Sequence, residues 1–177
     1  MNRVLVIGPL LILLSCGGDA PAPQRQQGGH VWRDPQLIDE NTRAVAREDA
    51  DIDRYLRRQG VDMERSPTGV RHKLLRDVPG PVARPGQRAE VAFRVELLDG
   101  RVCYASEAGT TASFIVEEDH VESGLHEGIQ LMSPGDSAVL VIPSYRAHGL
   151  VGDMEKIPMR STVVYFIALK GLKDVPR

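Results

Sequence analysis

The chain has 177 residues, enough for one domain with tails, and its 24 acidic and 22 basic residues leave a net charge of −2. The charges are mixed along the chain without a basic stripe, and only 5% of residues are aromatic, which speaks against a nucleic-acid partner. Cys16 and Cys103 stand far apart, giving neither a repeating zinc-ligand spacing nor a disulfide framework.

The chain begins MNRVLVIGPLLILLSC: one base, Arg3, an apolar run from Val4 to Leu14, then Ser15 and Cys16. The run is shorter than the ~20 residues that span a bilayer and suits the apolar core of a secretory signal over residues 1–15. The ending LLSC resembles a bacterial lipobox. Cys16 would then be the acylated first residue of a protein tied to a lipid membrane in the bacterial cell envelope, facing the periplasm. An ordinary secretory signal with an incidental cysteine is the alternative. Several acyl chains anchor firmly where one binds only marginally. Residues 16–36 include GGDAPAPQRQQGG, which has no core-forming residue and reads as a flexible tether.

Residues 37–60 place Ile38, Val45, Ile52, Tyr55 and Leu56 at helical spacing among Asp, Glu and Arg, predicting an amphipathic helix that stops at Gly60. Such a helix packs on the domain, acts as a spacer or binds a partner. From Ser66 the pattern turns to strands. TGVRHKLLRD suits a first strand, and PGPVARPGQ is a connection that cannot continue a ladder. AEVAFRVELLDGRVCYAS puts Val91, Phe93, Val95 and Leu97 on one face and Glu90, Arg94 and Glu96 on the other, with Asp99-Gly100 as a two-residue hairpin turn.

EEDHVESGLHEGIQLMSPGD predicts a helix with Val121, Leu125, Ile129 and Met132 in one stripe. Glu117, Glu118 and Asp119 sit near its start, where the helix dipole favours negative charge, and Ser133-Pro134-Gly135 ends it. Gly124 and Gly128 each weaken a helix by about 1 kcal/mol relative to Ala, which points to close packing against a sheet. Two apolar runs, SAVLV and STVVYFIAL, then flank IPSYRAHGLVGDMEKIP. A connection that long inside a compact domain is usually functional or disordered, and its Ile, Leu, Val and Met speak against disorder. Strands, one short helix, then strands predict an α+β fold: an antiparallel twisted β-sheet wrapped around one short α-helix, preceded by the amphipathic helix.

Catalytic constellations are few. Ser144, His148 and Asp153 lack the G-x-S-x-G elbow and match no nucleophile spacing. His120 and His126 lie six positions apart, about 240° around a helix, and diverge instead of converging on a metal. Cys103 has no charged neighbour in sequence and reads as a small buried hydrophobe. What is left is a set of apolar residues on separate elements, which on composition alone is a core.

The order of motifs is more specific. VAFRVELLDG is similar to V-x-x-Y-x-G-x-L-x-D-G, and HVESGLHEGIQLMSPGD to V-I-x-G-W-x-E-G-L-x-x-M-x-x-G-E. LVIPSYRAHGLVGDMEKIPMRSTVVYFIAL is similar to L-x-I-P-x-x-x-A-Y-G-x-x-G-x-x-x-I-P-P-x-(A/S)-x-L-x-F-x-V-x-L. In that order and spacing the motifs resemble the FKBP-type peptidyl-prolyl cis-trans isomerases, over residues 66–173. VCYASEAG, SYRAHGLVGD and the lipobox resemble more closely the lipoprotein branch associated with gliding motility in Bacteroidetes-type bacteria.

The resemblance implies rotation about X-Pro bonds of exported or envelope proteins, with no cofactor and no metal. It implies a pocket for proline overhung by the long loop. By motif, Phe93 stands at the hairpin tyrosine and Phe114 at the floor phenylalanine. Val121 and Glu122 stand at the V-I pair, with the Glu122 backbone N–H as donor to a substrate carbonyl. Leu125 replaces the tryptophan under the proline ring, His148 replaces the loop tyrosine, and Ile157 and Tyr165 match the apolar wall. Cys103 and Tyr104 replace the family's F-D pair, which implies that the pocket carboxylate is gone. These departures imply weak macrolide binding and leave two functions open: a weak isomerase, or a non-catalytic module holding a proline-containing segment of an envelope or gliding-motility complex.

Overall fold

A computed structural model of the protein describes residues 35–118 and 120–176. The signal, Cys16, the tether to residue 34 and Asp119 lie outside the described residues. Helix α1 runs from Pro35 to Gln59. It therefore starts within the segment read as tether, with proline in the first turn, where its missing N–H removes no helical bond.

Strands β1 (Glu64–Arg65), β2 (Arg71–Arg76), β3 (Gln87–Leu97), β4 (Val102–Ala105) and β5 (Ala112–Ile115) follow, then helix α2 (Ser123–Ile129), β6 (Ser137–Ile142) and β7 (Val163–Asp174). All pairings are antiparallel, in the order β1-β2-β6-β7-β3-β4. Strand β3 shares its outer edge between two partners, β5 along Arg88–Val91 and β4 along Arg94–Glu96. The α+β sheet wrapped on a short helix is the architecture that the hydrophobic pattern predicts.

Alternation sorts the side chains. Ala89, Val91, Val95, Leu97, Leu140, Ile142, Val163, Tyr165, Ile167 and Leu169 face α2, and with Leu125, Ile129 and Met132 they make the main core. On the opposite sheet face Val141 and Val164 meet Ile52 and Tyr55 of α1. Only the C-terminal half of the predicted α1 stripe docks: Ile52 is 0% exposed, whereas Ile38 is 52% exposed. The buried Arg71 guanidinium reinforces that contact. It donates to Asp49 at 2.9 Å, to Asp53 at 3.2 Å and to the Gly69 carbonyl at 2.6 Å. Removing one member of such a pair leaves an uncompensated buried charge, at about 3–5 kcal/mol.

Two local predictions need correction. The hairpin loop is Leu98, Asp99 and Gly100 and not Asp99-Gly100 alone: Gly100 N–H donates to the Leu97 carbonyl at 2.9 Å, and Leu97 N–H to the Arg101 carbonyl at 3.0 Å. This is the three-residue turn in which the last residue bulges. Helix α2 is also shorter than the stripe suggests. Glu117 has φ 65, a left-handed conformation that no helix continues, so Glu117 and Glu118 form a turn after β5. Val121 and Met132 flank the helix yet still pack on its core face.

The two helical glycines are contact points. A Cβ at Gly124 would run into Ile142 Cγ2, and one at Gly128 into Leu140 Cδ1. At these two points the helix backbone lies directly against the side chains of β6. Gly128→Ala would gain about 1 kcal/mol of helix propensity. Forcing a methyl against a fully buried leucine costs about 1–3 kcal/mol. We expect a net loss of about 1 kcal/mol, read as a lower urea midpoint with an unchanged m-value; a raised midpoint would show the contact to be loose.

Candidate functional site

The connection between β6 and β7, residues 143–162, turns back over the end of the sheet. It opens with a 3-10 turn at Ser144–Arg146. Ala147 and Ile157 insert into the main core, which draws the loop over the mouth of the sheet. At its neck Glu48 of α1 accepts from Ser144 N–H (2.6 Å), Ser144 Oγ (2.8 Å) and Thr162 Oγ1 (2.6 Å).

Asp153 organises the tip. Its Oδ1 accepts the backbone N–H groups of Glu155 and Lys156 at 2.9 Å and of Ile157 at 2.7 Å, while Oδ2 accepts from the Tyr104 hydroxyl. The Tyr104 hydroxyl also lies 3.4 Å from Glu155, and the Lys156 ammonium sits 4.8 Å from the centre of its ring.

Most of the residues picked out by motif lie in or against the main core. Phe114, Leu125, Ile157 and Tyr165 are buried in one cluster, with Phe93, Tyr104 and Val121 packed against it. The Phe93 and Tyr165 rings are 6.3 Å apart, centre to centre, in a tilted arrangement. Phe114 meets the edge of the His126 ring at 5.6 Å. His126 accepts the Glu117 N–H on Nδ1 at 3.0 Å, whereas His120 is exposed and precedes α2, so the two do not share one helix, contrary to the sequence-based expectation. Ser144 is bonded to Glu48 and His148 lies against Glu122, an arrangement that assembles no Ser-His-Asp triad.

Glu122 occupies the N-cap of α2, with its carbonyl accepting from Leu125 N–H at 2.8 Å and His126 N–H at 3.1 Å. Among the described residues its own N–H is paired with no acceptor. Its carboxylate turns into the pocket instead of outward. One oxygen, Oε1, accepts the Tyr165 hydroxyl at 2.6 Å, and His148 Nε2 lies 2.8 Å from the same oxygen. Tyr104 replaces the acid in sequence, but Glu122 and Asp153 bring carboxylates from the helix entry and from the loop.

These contacts raise the phenols and lower the Asp153 carboxyl. Desolvation, followed by the negative charge and hydrogen bond of Glu122, pushes the Tyr165 phenol far above its ordinary range. Tyr104 is raised first by its bond to Asp153, then by burial and by Glu155. Desolvation tends to raise Asp153, but the Tyr104 hydroxyl and three backbone N–H groups outweigh it and hold the carboxyl well below the usual carboxylate range. Burial raises the Cys103 thiol, whose Sγ lies 3.6 Å from the Lys156 carbonyl; it is a packed hydrophobe.

Sequence reasoning missed Asp153, Glu155 and the inward turn of the Glu122 carboxylate. An Asp followed by three residues with free N–H groups is a turn signal, and it was available in GDMEKI. A depressed folded pKa means that the Asp153 contribution is full above the unfolded value of about 3.9 and is lost only as pH falls through the lower folded value. The amide shifts of Glu155, Lys156 and Ile157 should therefore stay constant from about pH 7 down to about pH 4. An inflection near about pH 4 would show an ordinary, unbonded carboxylate.

Comparison with known proteins agrees with this geometry. The family described as FKBP-type peptidyl-prolyl cis-trans isomerase matches residues 80–170, just over half of the 177-residue chain. The crystal structure of FkpA from Escherichia coli is similar with a TM-score of 0.65 and 25% identity, over 79% of this chain. The match takes in 65% of the FkpA chain, so this protein corresponds to part of that relative's length.

Proposed function

Because the chain belongs to the FKBP-type peptidyl-prolyl cis-trans isomerase family, we propose that it speeds rotation about X-Pro bonds in exported or envelope proteins. The observation that supports this is the packing of Phe93, Tyr104, Phe114, Leu125, Ile157 and Tyr165 in or against one core, beside a Glu122 N–H that has no acceptor among the described residues. The chemistry requires no nucleophile. Rotation loses amide resonance across a barrier of about 18–20 kcal/mol and takes tens to hundreds of seconds unaided. The twisted amide carries less charge separation than the planar one. An apolar enclosure disfavours the planar form relative to water, and binding the twisted form better is what accelerates the step. Each ~1.4 kcal/mol of that difference is tenfold in rate.

In this reading Phe93, Phe114, Leu125, Ile157 and Tyr165 hold the proline ring, and Glu122 N–H orients a substrate carbonyl. Tyr104 ties the loop to β4 through Asp153. The signal-like N-terminus and Cys16 support an anchored, periplasm-facing location, and the motility-lipoprotein resemblance of VCYASEAG and SYRAHGLVGD supports clients in the same envelope. Leu125 in place of a tryptophan offers a macrolide less stacking surface, so weak binding of such ligands belongs to the same proposal.

One observation favours the second reading, a binding module that holds a proline-containing segment without turnover. The His148 ring nitrogen that would meet a substrate carbonyl lies 2.8 Å from Glu122 Oε1, an oxygen that already accepts the Tyr165 hydroxyl. A substrate must displace an internal carboxylate that already holds the Tyr165 hydroxyl by a charge-assisted bond, stronger than a neutral pair.

The assay is cis-to-trans conversion of short X-Pro peptides by residues 30–177, with several residues at X. Acceleration should be present and should fall at least about tenfold in Phe114→Ala, the equivalent of ~1.4 kcal/mol. A folded protein that accelerates none of the peptides, yet binds a proline-containing segment saturably, would establish the second reading in its place.

A further inference from the structure

We infer that Glu48, on the helix outside the matched family region, is a positioning residue for the proline pocket because its carboxylate closes the neck of the overhanging loop. The inference rests on the isomerase reading for its kinetic readout, but not for its structural one.

Residues 143–162 leave β6 and return to β7, and these strands are hydrogen-bonded neighbours, with Ile142 opposite Val163. Pairing brings the two ends of the loop together but does not orient what lies between. Thr162 directly precedes Val163, and Ser144 lies two residues beyond Ile142, one at each end. Both are buried, at 6% and 5% exposure, and Glu48 bonds to both. Its Oε1 takes the Ser144 N–H and the Thr162 hydroxyl, and its Oε2 takes the Ser144 hydroxyl. A single carboxylate from a third element thus joins the start and the finish of the loop.

That joint is rigid from the far side as well. Glu48 is a turn away from Ile52, which is fully buried against the sheet, and next to Asp49, which pairs with Arg71. From the neck the chain runs through Ser144, whose carbonyl accepts Ala147 N–H at 3.0 Å and Gly149 N–H at 2.7 Å. These bonds bracket His148, the loop residue that reaches Glu122. On the return side Arg160 N–H donates to the Gly149 carbonyl at 3.0 Å, which crosses the loop just above Thr162. Shifting Ser144 therefore moves His148 through two hydrogen bonds. Small misplacements of positioning groups can cost about a hundredfold in rate.

The chemistry of the neck separates a positioning role from a merely structural one. Glutamine retains the Oε1 acceptor for Ser144 N–H and Thr162 Oγ1, and its amide can donate to the Ser144 hydroxyl, which then turns to accept. Alanine retains neither. Thr162→Val keeps volume and removes one donor, and so serves as a second variant should Glu48→Ala fail to fold. Ile52→Val thins the α1 contact without touching the neck, and is the control for general loosening.

The experiment uses the full chain. Expected are a fall in kcat/KM of about tenfold for Glu48→Ala and a smaller loss for Thr162→Val. Glu48→Gln should stay within about threefold of the parent, and Ile52→Val should be unchanged after correction for folded fraction. Amide exchange should accelerate across residues 144–161 in Glu48→Ala and Thr162→Val, and not in Ile52→Val. Losses in Glu48→Ala that match those in Ile52→Val, or unchanged exchange across 144–161, would overturn the inference. If the parent chain has no turnover the isomerase reading fails, and the exchange pattern alone decides whether Glu48 closes the neck.

Discussion

Helix α2 touches β6 at Gly124 and Gly128, where Ile142 and Leu140 leave no room for a methyl group. The position of the pocket follows from this approach. Because the helix lies directly on the sheet, its entry residues Val121 and Glu122 are brought up against β7, where Tyr165 reaches the Glu122 carboxylate at 2.6 Å. Leu125, one turn further, faces the same cluster as Phe114 and Ile157. Were the helix held farther off, Glu122 would not reach Tyr165, and Leu125 would leave the cluster that holds Phe114. Interiors are packed too tightly for that displacement to be absorbed by small adjustments.

The loop is the second wall, and it is held by polar groups at three levels. Glu48 joins its ends, His148 meets Glu122, and Asp153 gathers the tip while accepting from Tyr104. Apolar contact from Ala147 and Ile157 supplies adhesion but not direction, since burial is non-directional. Directional bonds set which face of the loop looks into the pocket. The same bonds introduce an internal carboxylate where the family's motif has an apolar side chain, and this departure separates the two functional readings.

Much of the fold was legible. The alternation in AEVAFRVEL placed Val91, Val95 and Leu97 inside, and the paired glycines in ESGLHEGI signalled a helix pressed on a sheet. The extent of α2 was less so, because the stripe from Val121 to Met132 continues through residues that pack on the core without being helical. The docking of α1 on the second sheet face had a signal too. AVLVI and VVYFIAL are nearly continuous apolar runs, as expected of strands covered on both faces, and Val141 and Val164 are the residues α1 covers. At the site the apolar walls followed from motif order. The polar connections did not, because each joins residues far apart in the chain: Glu48 with Thr162, Tyr104 with Asp153, Glu122 with His148 and Tyr165. Charge alone at those positions reads as solvated surface.

The most direct test of the central claim, a proline pocket between α2, the sheet and the loop, is a titration of isotopically labelled residues 30–177 with a short X-Pro peptide, followed by amide shifts. The account predicts saturable shifts centred on Glu122, Leu125, His148 and Tyr165, with the largest at the Glu122 N–H as it gains an acceptor. A cleft of about 780 Å³ lined by Val45, Glu48, Tyr145, Leu150 and Pro158 lies on the α1 side and contains none of these residues. Shifts confined to that cleft, or no saturable shifts at all, would contradict the account.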